Sequence, residues 1–97
     1  MMNQATFNFT LGRAKEAVQY HNKSLDIRRL LYRFHPSIGG CYNNLSEAYE
    51  TMGDYQTASK HAITGLKIKR HFFKGPSHAV IDSLITVARL TTRKTGR

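Results

Sequence analysis

The apolar residues in the middle of the chain recur with the period of an α-helix. A first stripe has the i, i+3, i+4, i+7 spacing of one helical face and consists of Leu45, Ala48, Tyr49 and Met52. A second stripe follows, formed by Tyr55, Ala58, Ala62, Leu66 and Ile68. Gly53 and Asp54 separate the two stripes. Glycine can adopt the left-handed conformation that ends a helix and aspartate can cap the next one, so this stretch predicts a helix-turn-helix hairpin.

The sequence around this turn occurs a second time upstream. The segment LGRAKEA at 11–17 aligns with MGDYQTA at 52–58, an offset of 41 residues, and the register continues as far as Arg29 and Arg70. The repeat begins a third time downstream, where Tyr42, Leu45 and Ser46 reappear 42 residues later as Leu84, Val87 and Ala88. A repeat of this length is typical of a stacked helical array.

Periodicity and helix-breaking residues together predict five helices and no strand. One is a short helix before Leu11, and the others are Arg13 to Leu31, Ser37 to Met52, Asp54 to Phe72 and Ser77 to Thr92. We expect one domain over residues 1–92, made of a partial repeat at 1–35, a full repeat at 36–76 and a half repeat at 77–92. Residues 93–97 then form a basic tail.

The apolar stripes also predict which side chains are buried. The expected core between the two central helices comprises Leu45, Tyr49, Ala58 and Leu66. The inward stripe of the preceding helix comprises Ala14, Ala17, Val18, His21, Leu25 and Leu31, and that of the last helix comprises Val80, Leu84, Val87, Ala88 and Thr91. Apolar residues of the last helix, including Ile81 and Ile85, cover more than one face. We therefore expect the isolated chain to self-associate through this C-terminal helix.

The order of residues from Asn43 to Tyr55 resembles a known repeat family. The pattern Asn-Asn-Leu-x-x-x-Tyr at 43–49, followed by Met-Gly-Asp-Tyr at 52–55, is similar to the tetratricopeptide repeat, and the period of about 42 residues resembles that of kinesin light chains. The resemblance covers residues 3–92 and departs from the family at Ser46, at Ala62, and at His78–Ala79 where His-Pro is usual. It implies an all-α fold in which antiparallel helix-turn-helix hairpins stack as a short right-handed α-solenoid of about two to two and a half repeats.

The same resemblance implies a partner protein or peptide bound on the concave face of the array. Asn44 then corresponds to the inward asparagine that holds the backbone of a bound peptide, for which an amide supplies both a donor and an acceptor. The remaining positions of this face are Asn43, Glu47, Glu50, Thr51, Arg89 and Arg93, with Asn3, Thr6, Ile85 and Thr86 at matching positions of the other copies. The alternative for Asn44 is a hydrogen bond between helices, without any ligand.

The charge of the chain is strongly positive. Fifteen Lys and Arg residues face six Asp and Glu residues, which gives a net charge of +9. Two basic clusters lie at the C-terminal ends of second helices and consist of Arg28, Arg29 and Arg33, and of Lys67, Lys69, Arg70 and Lys74. Each cation there complements the helix dipole by about 0.3–1 kcal/mol. Stacked repeats would also align the clusters into a basic edge for RNA or anionic lipid, but no aromatic platform accompanies them, which favours a protein partner over nucleic acid.

No motif indicates catalysis, a cofactor or a metal site. The five histidines, His21, His35, His61, His71 and His78, lack the pairwise spacing of zinc ligands, and the chain has neither a glycine-rich phosphate loop nor a nucleophile elbow. The single Cys41 cannot form an intramolecular disulfide and fits a reducing compartment. Without a signal sequence or a run of about 18 apolar residues, we expect a cytoplasmic, non-catalytic scaffold or adaptor.

Overall fold

A computed structural model describes residues 4–75 and 77–95, with side chains at 10–75 and 77–92. This part of the chain folds into four helices and contains no strand: α1 (Gln4–Tyr32), α2 (Pro36–Thr51), α3 (Tyr55–Phe72) and α4 (His78–Thr95). Each helix packs mainly against its neighbour in the sequence, α1 on α2, α2 on α3 and α3 on α4. The prediction of an all-α stack of antiparallel helix-turn-helix hairpins is confirmed.

The turn between α2 and α3 is formed as its sequence predicts. Gly53 adopts a positive φ of 86°, and its backbone N–H donates to the carbonyl oxygen of Glu50 over 2.9 Å. The carboxylate of Asp54 then accepts a hydrogen bond of 3.1 Å from the backbone N–H of Thr57, which caps the N-terminus of α3. A glycine that ends one helix and an aspartate that begins the next therefore fix this hairpin.

The five-helix prediction is wrong at Gly12. Residues 4–32 form a single helix, so the short helix before Leu11 and the helix from Arg13 are continuous. The residue after Gly12 is Arg13, whose side chain has no acceptor for the exposed N–H groups of a new helix start, whereas the residue after Gly53 is the capping Asp54. Without a cap, the helix continues through the glycine instead of turning.

The core consists of two clusters on either side of α2 and α3. The first joins α1 to α2 and contains Leu25, Ile38, Cys41, Tyr42 and Leu45, with Val18, Tyr49 and Ile68 packed against it. The second joins α3 to α4 and contains Ala58, Ala62 and Leu90, with Tyr49, Tyr55 and Val87 at its edge. Tyr49 belongs to both clusters, and Leu45 and Ala58 are fully buried, as expected from the sequence.

Several of the predicted inward residues lie elsewhere. Leu66 is only half-buried, and Leu31 is 66% exposed. On α4, the predicted Val80 and Val87 do face α3, but the other contacts are made by Ser83 and Leu90, while Leu84, Ala88 and Thr91 are exposed. The reason is that, among the described residues, α4 packs mainly against one helix, α3, whereas α2, whose register α4 repeats, packs extensively against both α1 and α3.

Two glycines allow α2 and α3 to cross closely. A Cβ atom on Gly65 would lie 2.5 Å from Asn43 Oδ1 and 3.1 Å from the carbonyl oxygen of Gly39. A Cβ on Gly39 would lie 3.2 Å from Lys69 Cγ. Because neither backbone could keep its position next to a larger residue, the crossing depends on the absence of a side chain at Gly65 above all.

Candidate functional site

The exposed polar face of α2 carries most of the predicted peptide-binding residues. Asn44, Glu47 and Thr51 are exposed there, and α2 contains two acids and no basic residue. The Thr51 hydroxyl donates to the carbonyl oxygen of Glu47 over 3.1 Å, so its proton is already used within the helix. The side chains of Asn44 and Glu47 make no hydrogen bond or ion pair within the described part of the chain, which leaves both able to bind a ligand.

A groove lies on each side of this polar face. The groove between α1 and α2 has a volume of about 420 Å³, and its walls include Ala14, Ala17, His21 and Ala48. The groove between α2 and α4 has a volume of about 300 Å³, and its walls include Gly40, Lys69, Asp82 and Thr86. Asn44 and Glu47 line both grooves. The two side chains thus stand on the ridge between them, where a ligand in either groove would meet them.

Asn43 lies beside this site but serves the packing of the helices. Its Nδ2 donates a hydrogen bond of 3.3 Å to the hydroxyl of Ser83 on α4, and its Oδ1 is buried next to Gly65. Ser83 is itself fully buried. The interpretation of Asn43 as a peptide-binding residue is therefore replaced by one in which it connects α2 to α4, because an amide held between three helices cannot also turn towards a ligand.

Glu50 and Arg89 form the second connection between α2 and α4. The guanidinium of Arg89 donates to the Glu50 carboxylate, and the two side chains form a salt bridge across the interface. Both were predicted to face a bound peptide, but the structure brings them together so that each satisfies the other. Of the other predicted positions, the side chains of Asn3, Thr6 and Arg93 lie outside the described residues.

The predicted basic edge is divided among different surroundings. Arg28 Nε donates to Ser24 Oγ over 3.1 Å, and Arg29 donates to the Tyr42 hydroxyl, which connects α1 to α2. Lys69 lines the groove between α2 and α4. The remaining members are exposed at helix ends, namely Arg33, Lys67, Arg70 and Lys74. Arg29 and Lys69 thus meet other helices and Arg28 is bonded within its own helix, so the seven cations do not form one surface.

Two charged residues of the groove between α2 and α4, Lys69 and Asp82, are absent from the predicted set of peptide-binding residues. Asp82 corresponds to Gly40 at the 42-residue offset, and Lys69 had been placed in the basic edge. The groove therefore combines the acids Glu47 and Asp82 with one lysine. Their convergence depends on the angle at which α4 packs on α3, which the sequence pattern does not contain. Helical spacing alone predicts on which face of its helix each residue lies. It does not predict which residues of the other helices lie opposite it across the groove.

The surroundings of His61 change its acidity. Its ring lies between those of Tyr42 and Tyr49, with centroid distances of 5.7 and 5.4 Å. Burial lowers the pKa of His61 from its ordinary value of 6.5. The described residues contain no group of three or more His, Cys, Asp or Glu side chains placed to hold a metal ion. The environment of His61 is that of a packed aromatic residue and not of a ligand.

Antiparallel helices packed in chain order, with an open polar face on α2, define a helical-repeat protein. None of its described helices has the length and apolar character needed to span a membrane. The family model described as Tetratricopeptide repeat matches residues 1–71. The chain therefore belongs to the tetratricopeptide repeat family, whose members generally mediate protein–protein interactions. Comparison with curated proteins and with solved structures gives no match.

Proposed function

We propose that this protein is a non-catalytic scaffold that binds an extended peptide of a partner protein across α2. The observation that carries the proposal is the pair Asn44 and Glu47, which are exposed on the ridge between two grooves and unpaired within the described chain. An asparagine amide can donate to one backbone carbonyl of an extended peptide and accept from its N–H. Asn44 then holds the main chain, and the groove residues select the side chains.

The charges of the groove favour a peptide with a basic residue. Glu47 and Asp82 face the space between α2 and α4, and Lys69 is the one cation among its described walls. A lysine or arginine of the peptide would pair with Glu47 in this partly enclosed space, where a charge-assisted hydrogen bond is worth about 1.5–3 kcal/mol. The protein thus binds a basic residue of its partner at a locally acidic groove, although its own net charge is +9.

A peptide selected from a random library against the wild-type protein provides the test. Its affinity, measured by isothermal titration calorimetry, should fall about 10-fold in Asn44→Ala and about 10-fold in Glu47→Gln, since each change removes about 1.4 kcal/mol. The matched controls are Asn22→Ala and Glu16→Gln, which make the same changes at exposed positions of α1. Equal affinities for the wild type and both ridge variants would contradict the proposal.

The finer features of the proposal come from the repeat spacing. Periods of 41 and 42 residues support an adaptor similar to kinesin light chains, working in the cytoplasm, where the single Cys41 would stay reduced. The second candidate, a basic module for RNA or anionic lipid, is disfavoured because Arg29 donates to Tyr42 on α2 and Lys69 lines the groove beside Glu47 and Asp82. Phosphate binding would weaken steeply with salt, whereas the peptide complex should depend mainly on Asn44 and the groove.

A further inference from the structure

An apolar groove without a partner runs along the outer side of α1. Its volume is about 650 Å³, and its walls include Tyr20, Ser24, Ile27, Arg28 and Leu31. Ile27 is 56% exposed and Leu31 is 66% exposed, which is unusual for aliphatic side chains in the middle and last turn of a helix. This surface has a different position from the polar ridge on α2 and plays no part in the proposed peptide site.

The walls of this groove repeat the surface with which α3 holds α2. At the 41-residue offset, Tyr20, Ser24, Ile27 and Arg28 correspond to His61, Gly65, Ile68 and Lys69. All four of these α3 residues contact α2: the His61 ring lies against Tyr42 and Tyr49, and the other three surround Gly39. On α1, Tyr20 and Ile27 are exposed and Ser24 and Arg28 are half-buried, and no other helix of the described residues fills the groove that they line. The groove therefore has the residues of a surface against which a helix equivalent to α2 could pack.

The other end of the molecule presents the complementary surface. Ile81 and Leu84 on α4 are 46% and 45% exposed, and Ala88 beside them is exposed as well. At the 42-residue offset these three residues correspond to Gly39, Tyr42 and Ser46, which are buried on α2. Gly39 and Tyr42 are covered by α3. The exposed face of α4 is thus the face by which an equivalent helix packs against its α3-like partner.

We propose that α4 of one copy docks into the α1 groove of a second copy. Among the described residues, the α1 groove has no helix packed in it and the exposed face of α4 has no helix packed on it, although by the repeat register α1 corresponds to the second helix of a hairpin and α4 to the first. Docking would complete both hairpins and continue the α2–α3 packing across the boundary between copies. The contact is heterologous, joining two different surfaces, so it adds copies head to tail.

Residues 4–12 of the same chain do not occupy this groove. Residues 4–12 continue α1 in line, because no turn forms at Gly12, and they extend away from the part of the groove formed by Ile27 and Leu31. The groove also differs from the α3 surface. Ser24 stands where α3 has Gly65, and Ile81 stands where α2 has Gly39, so α4 would cross α1 at a greater distance than that at which α2 crosses α3.

Charge gives the proposal a distinctive salt dependence. Each copy carries a net charge of +9, so two copies repel each other at low ionic strength. The residues that would meet are mainly apolar, and screening over about 8 Å at physiological salt removes much of the repulsion without weakening apolar contacts. Association should therefore strengthen between low and physiological salt, which is the opposite of the response expected for binding to an anionic polymer or surface.

Sedimentation velocity over a dilution series of the full chain is the experiment. The wild type should move from monomer to larger species as its concentration rises towards about 1 mM. Two variants each remove one surface: Ile27→Glu with Leu31→Glu on α1, and Ile81→Glu with Leu84→Glu on α4. Either variant alone should remain monomeric, whereas an equimolar mixture should form a 1:1 dimer that grows no further, because one intact groove and one intact α4 face remain.

The controls separate this arrangement from others. Gln19→Glu with Asn22→Glu adds the same negative charge to exposed positions of α1 outside the groove and should associate like the wild type. Far-UV circular dichroism verifies that every variant is folded. A wild type that stays monomeric throughout overturns the proposal. So does an α1 variant that still dimerises by itself, since that would show α4 pairing with α4, and so does a mixture of the two variants that stays monomeric.

Discussion

Gly65 sets the distance between α2 and α3. Its missing side chain leaves room for the Asn43 amide and the Gly39 backbone, and Asn43 in turn reaches Ser83 on α4. One residue therefore influences the positions of three helices. In the sequence, Gly65 is only a small residue of the kind that suits two closely packed helices. The identity of the atoms that it accommodates depends on the crossing of the two helices and could not be read from the periodicity.

Gly65→Ala should lower the free energy of unfolding by about 1–3 kcal/mol, because the new methyl group would overlap Asn43 Oδ1 and force the helices apart. Urea denaturation measures the change. Gly40→Ala is the control, since nothing lies within 4 Å of a Cβ there and alanine favours the helix by up to about 1 kcal/mol. If both variants change the free energy of unfolding in the same direction, α2 and α3 are far enough apart at Gly65 to accommodate a methyl group.

His61 should make stability depend on pH below neutrality. Because burial lowers its pKa, the unfolded chain binds a proton to this residue more readily than the folded chain does. Its contribution is complete above the unfolded pKa of 6.5 and is lost as the pH falls through that value towards the lower pKa of the folded state.

His61→Phe keeps a ring between Tyr42 and Tyr49 but removes the titration. Between about pH 7.5 and pH 5 the variant should lose less thermal stability than the wild type, as measured by its melting temperature. His71→Phe, the same substitution at an exposed position, controls for the added hydrophobicity. A wild type and a His61→Phe variant whose melting temperatures decline in parallel would show that His61 is as easily protonated in the fold as out of it.

At the scale of helices, Gly12 and Gly53 show how the same sequence signal gives two outcomes. Each glycine follows an apolar residue 41 positions from its counterpart, yet Gly53 ends α2 with a positive φ and Gly12 lies inside α1. The difference is the capping Asp54 after one and Arg13 after the other. A cap stabilises a helix start by about 1 kcal/mol, which is enough to decide between turning and continuing.

Alanine substitution distinguishes the two backbones. Gly53→Ala should cost about 1–2 kcal/mol, since a residue with a Cβ is strained at a φ of 86°. Gly12→Ala should instead add up to about 1 kcal/mol of stability and increase the helical signal at 222 nm in circular dichroism, because alanine is the better residue within a continuous helix. If Gly12→Ala instead lowers stability, the result would indicate the turn at Gly12 that the repeat pattern predicts and would contradict a single continuous helix α1.

The helix bounds show what local sequence determines. Three of the four described helices start and end within about three residues of their predicted positions, because their ends depend on neighbouring residues such as Pro36, Gly53 and Asp54. Burial on α4 was harder to predict. Leu84 is predicted to be inward by periodicity, but which stripe of a helix is buried depends on how the helices around it are placed, and among the described residues α4 packs mainly on α3.

The candidate site was predictable in part for the same reason. Asn44 and Glu47 are placed on the open face of α2 by helical spacing alone, and the structure leaves both exposed. Asn43, Glu50 and Arg89 also belong to the predicted concave face. In the structure, however, Asn43 bonds to Ser83 on α4, and Glu50 on α2 pairs with Arg89 on α4. Whether a polar side chain is free for a ligand depends on which residues lie opposite it across the groove. Those residues are determined by the angle at which the helices pack, which helical spacing does not predict.

At the scale of the whole molecule, charge is distributed unevenly between neighbouring helices. α2 carries two acids and no base, whereas α3 carries four basic residues, Lys60, Lys67, Lys69 and Arg70, and no acid. The positive charge of the chain is therefore not spread over the ridge that carries Asn44 and Glu47. A single value for net charge would have suggested an anionic ligand there, while the local groups around Glu47 favour a cationic one.

The packing of helices in chain order also determines how the molecule responds to force. α1 packs mainly on α2 and α4 mainly on α3, while α2 and α4 are joined directly by Asn43–Ser83 and Glu50–Arg89 and through Tyr49, which packs against the cluster that contains Leu90. A pull on the two ends would therefore detach the outer helices before the central hairpin, because each can leave without disturbing the contacts between the others. Under tension the chain would lengthen in steps, one helix at a time, and the α2–α3 hairpin held at Gly65 would be the last part to yield.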